Sequence, residues 1–203
     1  MQRHITALTI AALLAVIFFS GCQGSSEQKA SEHAAVFPVL GTVTQQEHAW
    51  GRPSAPAGSP EVFTHRDQIY AKQPLSWRKL SRGPDKFFGP ELSPDGKFVL
   101  FTGLSTGVHV VRVVDGREML RDEGTSPSWS PDSRTIAYEK TVDDGHEILE
   151  SDIYMASVDG TLTVNLTATA NRIERKPVFS PDGKKISFEL NGMTYIANLE
   201  WVE

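Results

Sequence analysis

The chain is short of cysteine, of net positive charge and of long apolar runs, and each shortage closes off a class of protein. A single cysteine, Cys22, stands among 203 residues, so neither an internal disulfide nor a cysteine-built zinc site can form. Lys and Arg number 20 against 25 Asp and Glu, a formal net charge of −5. Such a balance argues against nucleic acid as a partner. What is plentiful is turn chemistry. With 16 Gly, 12 Pro and 39% hydrophobic residues, the composition suits a turn-rich, β-leaning globular fold rather than a collagen, a coiled coil or a polytopic membrane protein.

The one conspicuous apolar run, Ile5 to Phe19, falls short of the ~20 residues of a bilayer-spanning helix. Behind Arg3 it fits the apolar core of a secretory signal. It ends in Phe19-Ser20-Gly21-Cys22, which resembles the bacterial lipobox, with Phe where Leu is usual. The resemblance implies removal of residues 1–21 and acylation of Cys22, giving a palmitate-type membrane anchor. Each buried CH₂ adds ~0.8 kcal/mol, and stable anchoring needs two or more chains. Gln23, rather than Asp, after the cysteine implies the periplasmic face of the outer membrane in a Gram-negative cell. Residues 22–60 carry Ser, Gln, Glu, Ala, Pro and Gly without apolar periodicity. They read as a lipidated cysteine and flexible tether with a reach of roughly 30–40 Å; a short strand over residues 36–43 is the weaker alternative.

From residue 61 onward repeats dominate. Pro90-Glu91-Leu92-Ser93-Pro94-Asp95-Gly96-Lys97 aligns with Pro127-Ser128-Trp129-Ser130-Pro131-Asp132-Ser133-Arg134 and with Pro177-Val178-Phe179-Ser180-Pro181-Asp182-Gly183-Lys184. Each copy is followed at period two by Val99 and Phe101, Ile136 and Tyr138, or Ile186 and Phe188, the spacing of a strand. Pro presets the first corner of a turn, Asp caps the turn amides and Gly accepts positive φ. Ser133 would hold that conformation at a cost of about 1 kcal/mol. A third strand follows over 108–114, 152–158 and 193–199. Asp115-Gly116 and Asp159-Gly160 predict two-residue hairpins into short fourth strands. Four-stranded antiparallel units with apolar residues on both faces fit blades stacked about an axis.

These residues resemble the TolB-like, WD-repeat-like β-propeller repeats, over about residues 68–203. The resemblance implies an all-β, partial β-propeller of about three four-stranded antiparallel blades. It also implies a binding or scaffold module of the cell envelope rather than an enzyme. The rival reading is an accessory or remnant domain of a propeller-bearing peptidase or hydrolase. Gly103-Leu104-Ser105-Thr106-Gly107 matches G-x-S-x-G, but two strands flank it where the nucleophile elbow needs a strand and a helix. It reads as a hairpin loop.

The densest set of polar side chains is Asp143, Asp144, His146, Glu147 and Glu150, expected as a long exposed loop between the second and third strands of the middle repeat. The interval from Ser130 to Ser180 exceeds that from Ser93 to Ser130, and the extra length falls largely here. Its spacing matches neither an EF-hand nor HExxH, so neither metal nor cofactor is expected, and the loop is a candidate for binding an envelope protein partner. His109 is placed on a blade face, and Trp77, Trp129 and Trp201 between blades or against the chain ends. Finally, the last repeat stops at its third strand while residues before the first supply a third and a fourth. Exchange of strands between two chains would complete a six-bladed homodimer; a covering N-terminal segment would serve the same end.

Overall fold

The computed structural model describes residues 37–46 and 50–202, and the side chains of 37, 201 and 202 are left out of account. The signal sequence expected over residues 1–21, Cys22 and the chain to residue 36 lie outside the described residues. The elements are β1 (Phe37–Gln46), β2 (Val62–His65), β3 (Gln68–Lys72), β4 (Trp77–Lys79), β5 (Phe87–Leu92), β6 (Phe98–Gly103), β7 (Gly107–Arg112) and β8 (Glu118–Asp122). Then follow β9 (Thr125–Trp129), β10 (Thr135–Asp143), β11 (Ile148–Ser157), β12 (Thr163–Asn165), β13 (Glu174–Phe179), β14 (Lys185–Leu190) and β15 (Met193–Val202). They form four sheets in the orders β2-β3-β4, β5-β6-β7-β8, β9-β10-β11-β12 and β13-β14-β15-β1. The fold is thus the expected all-β partial propeller. Each P-x-apolar-S-P-D copy opens a four-stranded blade, and a three-stranded blade precedes them.

The three motif turns repeat one hydrogen-bond pattern. The hydroxyls of Ser93, Ser130 and Ser180 donate to Asp95, Asp132 and Asp182 at 2.7, 2.6 and 2.6 Å. The same hydroxyl oxygens accept the amides of Phe98, Thr135 and Lys185 at 2.9, 3.0 and 2.9 Å. Gly96, Ser133 and Gly183 have φ of 74°, 62° and 70°, so Ser133 does occupy the left-handed region. It gains a contact there: its Oγ accepts the amide of Asp95 in the neighbouring blade's turn, at 2.9 Å. The Asp-Gly corners differ from expectation. Gly116 and Gly160 sit in connections spanning 113–117 and 158–162, longer than two-residue hairpins. Val113 and Val158 donate their amides back to Lys97 and Arg134 in the adjacent turns, which lengthens each connection.

Three apolar seams join the blades in chain order. Val99 and Phe101 point from β6 to Ile69, Ala71 and Leu80 of the first blade. Leu100 points the other way, to Trp129, Ile136 and Tyr138 of the third. Ala137, Ile153 and Met155 pack on Phe179, Ile186, Phe188 and Ala197 of the fourth. The period-two alternation therefore feeds both faces of the central blades. Among the described residues no such seam links the first blade to the fourth, so the blades form an open arc.

The tether expected over residues 22–60 gives way to ordered structure from residue 37. β1 pairs antiparallel with β15 over almost its whole length, and Leu40 and Val43 join the third seam. The last blade's fourth strand therefore comes from the N-terminal side of the same chain. The count that called for strand exchange in a six-bladed homodimer no longer holds, and the covering N-terminal segment stands in its place. Beyond β1 the chain crosses the inner strands. Trp50 Nε1 donates to the Val178 carbonyl at 3.1 Å, and Arg52 bonds Glu91 at 2.7 Å and the Pro127 carbonyl at 2.9 Å. Ala55 then packs on the first seam. Residues 50–55 are extended by Pro and Arg rather than apolar alternation, which is why no strand pattern marks them.

Two expectations follow. Leu40→Asp should lower the unfolding free energy by about 2–3 kcal/mol, because a carboxylate would enter an apolar seam. Thr44→Asp, on the exposed side of β1, should shift it by less than about 0.5 kcal/mol; urea unfolding compares them. At the middle turn, Ser133→Ala should cost about 1 kcal/mol, since it keeps the left-handed φ and loses the inter-blade hydrogen bond. Ser133→Gly should be nearly neutral, trading that bond for relief of the φ.

Candidate binding site

Within each blade, successive strands alternate between two ends of the arc. One end carries the S-P-D turns and the connections between third and fourth strands. The other, here the hairpin end, carries the connections between second and third strands. The candidate residues 143–150 fall at the hairpin end. They are not a long loop: the added length extends β10 and β11 into a projecting hairpin, closed by a four-residue turn.

That turn consumes its own carboxylates. Asp144 accepts the amides of His146 and Glu147 at 2.9 and 2.8 Å, and Asp143 accepts that of Gly145 at 2.9 Å. The amides of Glu147 and His146 hold Asp144 below the usual carboxylate range. Four of the five candidates thus sit at the exposed tip. Glu150 lies apart from them on β11, where its carboxylate accepts the Asn171 amide at 3.0 Å. Among the described residues no cluster of His, Cys, Asp or Glu is arranged to hold a metal.

Beside the hairpin lies a groove of about 330 Å³, lined by Glu123, Gly124, Thr125, Lys140, Thr141, Val142, Glu150, Asp152 and Tyr154. Strand pairing builds it. Lys140 lies opposite Asp152, Tyr138 opposite Tyr154 and Val142 opposite Glu150, so these side chains share one face beyond the end of the second blade. Lys140 Nζ donates to Asp122 at 2.8 Å and lies 4.6 Å from the centre of the Tyr154 ring. Tyr138 also donates to Asp122. Burial raises the pKa of Asp122, but the bonds from Lys140 and Tyr138 outweigh it and hold the carboxylate low. Burial, then Asp122, pushes the Tyr138 phenol well above its ordinary value. Gly124 is required here, because a Cβ would lie 2.5 Å from the Tyr138 ring. The result is a fixed cation flanked by aromatic and acidic groups, able to receive polar side chains or backbone carbonyls. Sequence reasoning missed Asp122, Lys140 and Tyr154. They come from three strands, β8, β10 and β11, and only the register between those strands gathers them.

Deeper in the third seam, Glu139 accepts the hydroxyls of Thr125 and Ser126 at 2.9 and 3.0 Å and the Lys176 amide at 3.0 Å. Ser126 and Lys176 have φ of 50° and 53° at register shifts in β9 and β13, so one carboxylate pins both irregularities. Nearby Glu174 is buried, and its Oε2 has no partner. Its Oε1 accepts the Thr169 hydroxyl at 2.8 Å. Burial raises its pKa, against the lowering effect of the Thr167 and Thr169 hydroxyls beside it.

The G-x-S-x-G segment is the hairpin loop expected. The amide of Ser105 and the hydroxyl of Thr106 donate to Asp85, at 3.0 and 2.6 Å. Thr106 Oγ1 also lies 2.8 Å from His109 Nε2, and His109 Nδ1 lies 2.7 Å from Glu118. The hydroxyl proton nearest the imidazole is thus committed to a carboxylate. His109 is buried against Phe87 and Phe101. Trp129 packs between blades as expected, with Nε1 donating to the Glu91 carbonyl at 3.1 Å. Trp77 is exposed, and the side chain of Trp201 lies outside those described.

Glu174 sets a pH expectation. Its folded pKa lies above the unfolded value, so the fold holds an extra proton between the two. Stability therefore falls as pH rises through that window. Glu174→Gln should raise the melting temperature relative to the native chain, by more at pH 8 than at pH 4; an equal effect at both pH values would contradict the assignment.

No family model matches the chain. Two curated relatives do, each named a TolB homologue. The one from Chlorobium luteolum is 31% identical over 122 residues, covering 56% of this chain and 26% of the relative. The one from Chlorobium chlorochromatii is 25% identical over 185 residues, covering 85% and 39%. The chain thus spans well under half the length of either. Among solved structures, the putative TolB of Agrobacterium tumefaciens superposes with a TM-score of 0.52 at 20% identity, over 74% of this chain and 60% of that one. Sequence likeness to the first two and fold likeness to the third agree with the motif turns and blade order: the chain is built of TolB-like β-propeller repeats.

Proposed function

We propose that this chain is an envelope protein, anchored by lipid at Cys22, whose partial propeller binds another envelope protein through the hairpin end of the arc. The observation that carries the reading is the groove beside the projecting β10–β11 hairpin. The hairpin extends beyond what blade pairing uses; Val142 stands exposed in the groove with the fixed Lys140, and Leu149 is exposed on the same hairpin. Exposed apolar side chains beside a satisfied polar groove are the ingredients of a protein-binding surface. The likeness to TolB homologues supports an envelope location and a binding role. The lipobox resemblance at residues 19–22 supports the anchor.

Crosslinking in intact cells tests the binding reading. Replacing residues 142–149 by a two-residue turn should leave stability within about 1 kcal/mol, because it removes only the projecting ends of β10 and β11, whose side chains are exposed or half-buried. The same change should abolish a crosslinked species that the native chain forms. An unchanged crosslinking pattern would overturn the assignment. For the anchor, Cys22→Ser should move the protein to the soluble fraction or block its processing, and should abolish labelling by radioactive palmitate.

A further inference from the structure

The turn end of the arc has a second surface that the binding site does not use. The connection from β3 to β4 places Leu75 at its tip, 99% exposed, and Trp77 directly after it, 57% exposed. In the adjacent blade the equivalent connection exposes Val114 at 73%. The Trp77 ring leans back across the sheet of the first blade, with its centroid 4.9 Å from Phe63, 5.7 Å from His65 and 6.3 Å from Tyr70. Large apolar side chains at loop tips gain nothing from water. Here the tips of neighbouring blades emerge at one end.

Two further features decide what covers them. β1 runs from the turn end to the hairpin end, since Phe37 pairs with Val202 and Gln46 with Thr194 near the β14–β15 hairpin. The chain from Cys22 therefore enters the fold at the same end as Leu75 and Trp77. Only 14 residues separate Cys22 from Phe37. Charge points the same way. The tip of the hairpin end carries Asp143, Asp144 and Glu147 with little to offset them, and an anionic bilayer would repel it. At the turn end Lys72 pairs with Glu61 and Lys97 with Asp95, while Arg117 and Arg134 stand exposed beside the turn aspartates.

We propose that the turn end of the first two blades lies on the lipid surface, with Leu75 and Val114 entering the headgroup region. Aliphatic tips flanked by Lys and Arg suit that boundary. The hairpin end and its groove then face away from the membrane. This rests on the anchoring reading for its orientation, but the loops' own contact with lipid can be measured separately.

The test is hydrogen exchange on the full chain, with and without vesicles of phosphatidylethanolamine and phosphatidylglycerol. Vesicles should slow exchange about tenfold in residues 73–77 and 113–117 and leave 143–148 unchanged. The Leu75→Asp, Val114→Asp double variant alters only exposed positions and should lose that footprint while keeping its melting temperature. Three results would overturn the proposal: no footprint, a footprint at the hairpin end, or a footprint that appears with protein concentration in the absence of vesicles, which would assign the surface to a second copy. Repeating the measurement with Cys22→Ser separates the two readings. A retained footprint in a chain that no longer takes up palmitate supports lipid contact by the loops themselves; loss of the footprint in that variant alone makes the contact a consequence of the anchor and overturns direct binding.

Discussion

The pairing of β1 with β15 is the contact on which the arc depends. A sheet that ends on an unpaired strand exposes a row of backbone donors and acceptors, and in a stack of blades it also leaves a seam uncovered. β1 satisfies the edge of the fourth blade and adds Leu40 and Val43 to the seam beneath it. The segment after it then carries the chain back across the inner strands to the first blade. Closure of the last blade and approach to the first are therefore one continuous piece of chain. A ring is not needed to satisfy the backbone at that end.

Inside the arc, small polar devices fix how blades meet. The Ser–Asp pair of each motif turn holds the first hairpin of its blade, and Ser133 carries the linkage across to the preceding turn. Glu139 does the same on the opposite side, binding register irregularities in two blades at once. Apolar seams supply most of the favourable burial but little direction, because they are slabs of Val, Ile, Leu and Phe. The hydrogen-bonded turns and Glu139 set the register in which those slabs face each other. The groove follows from that register, since Lys140, Asp122 and Tyr154 come from three strands.

Much of this was legible before the structure. The motif copies, their period-two followers and the fold they build all stand as expected, because a strand's side-chain alternation and a Pro-Asp-Gly corner are local properties. Of the acidic candidates, Asp143, Asp144, His146 and Glu147 are exposed at a hairpin tip rather than in a long loop, and Glu150 is half-buried on β11. Asp143 and Asp144 look like ligands in sequence; in space they cap a four-residue turn, a role that depends on where β10 and β11 stop pairing. Glu174 and Glu139 gave no signal at all. A glutamate in a strand reads as solvent-facing until the neighbouring blade covers it.

Local chemistry decided that the chain would form hairpins, where the sharp turns would fall and which strands would be apolar on both faces. Those features need only neighbouring residues, a fixed φ at proline, a tolerated φ at glycine and a side-chain period of two. Tertiary structure decided the rest: that residues 37–46, without a turn motif or a clean alternation, become the fourth strand of a blade whose other strands begin at residue 174, and that Asp122, Lys140 and Tyr154 share a face. Pairing between segments so far apart is selected by the free edge and open seam that the other strands leave behind, and those exist only once the blades have stacked.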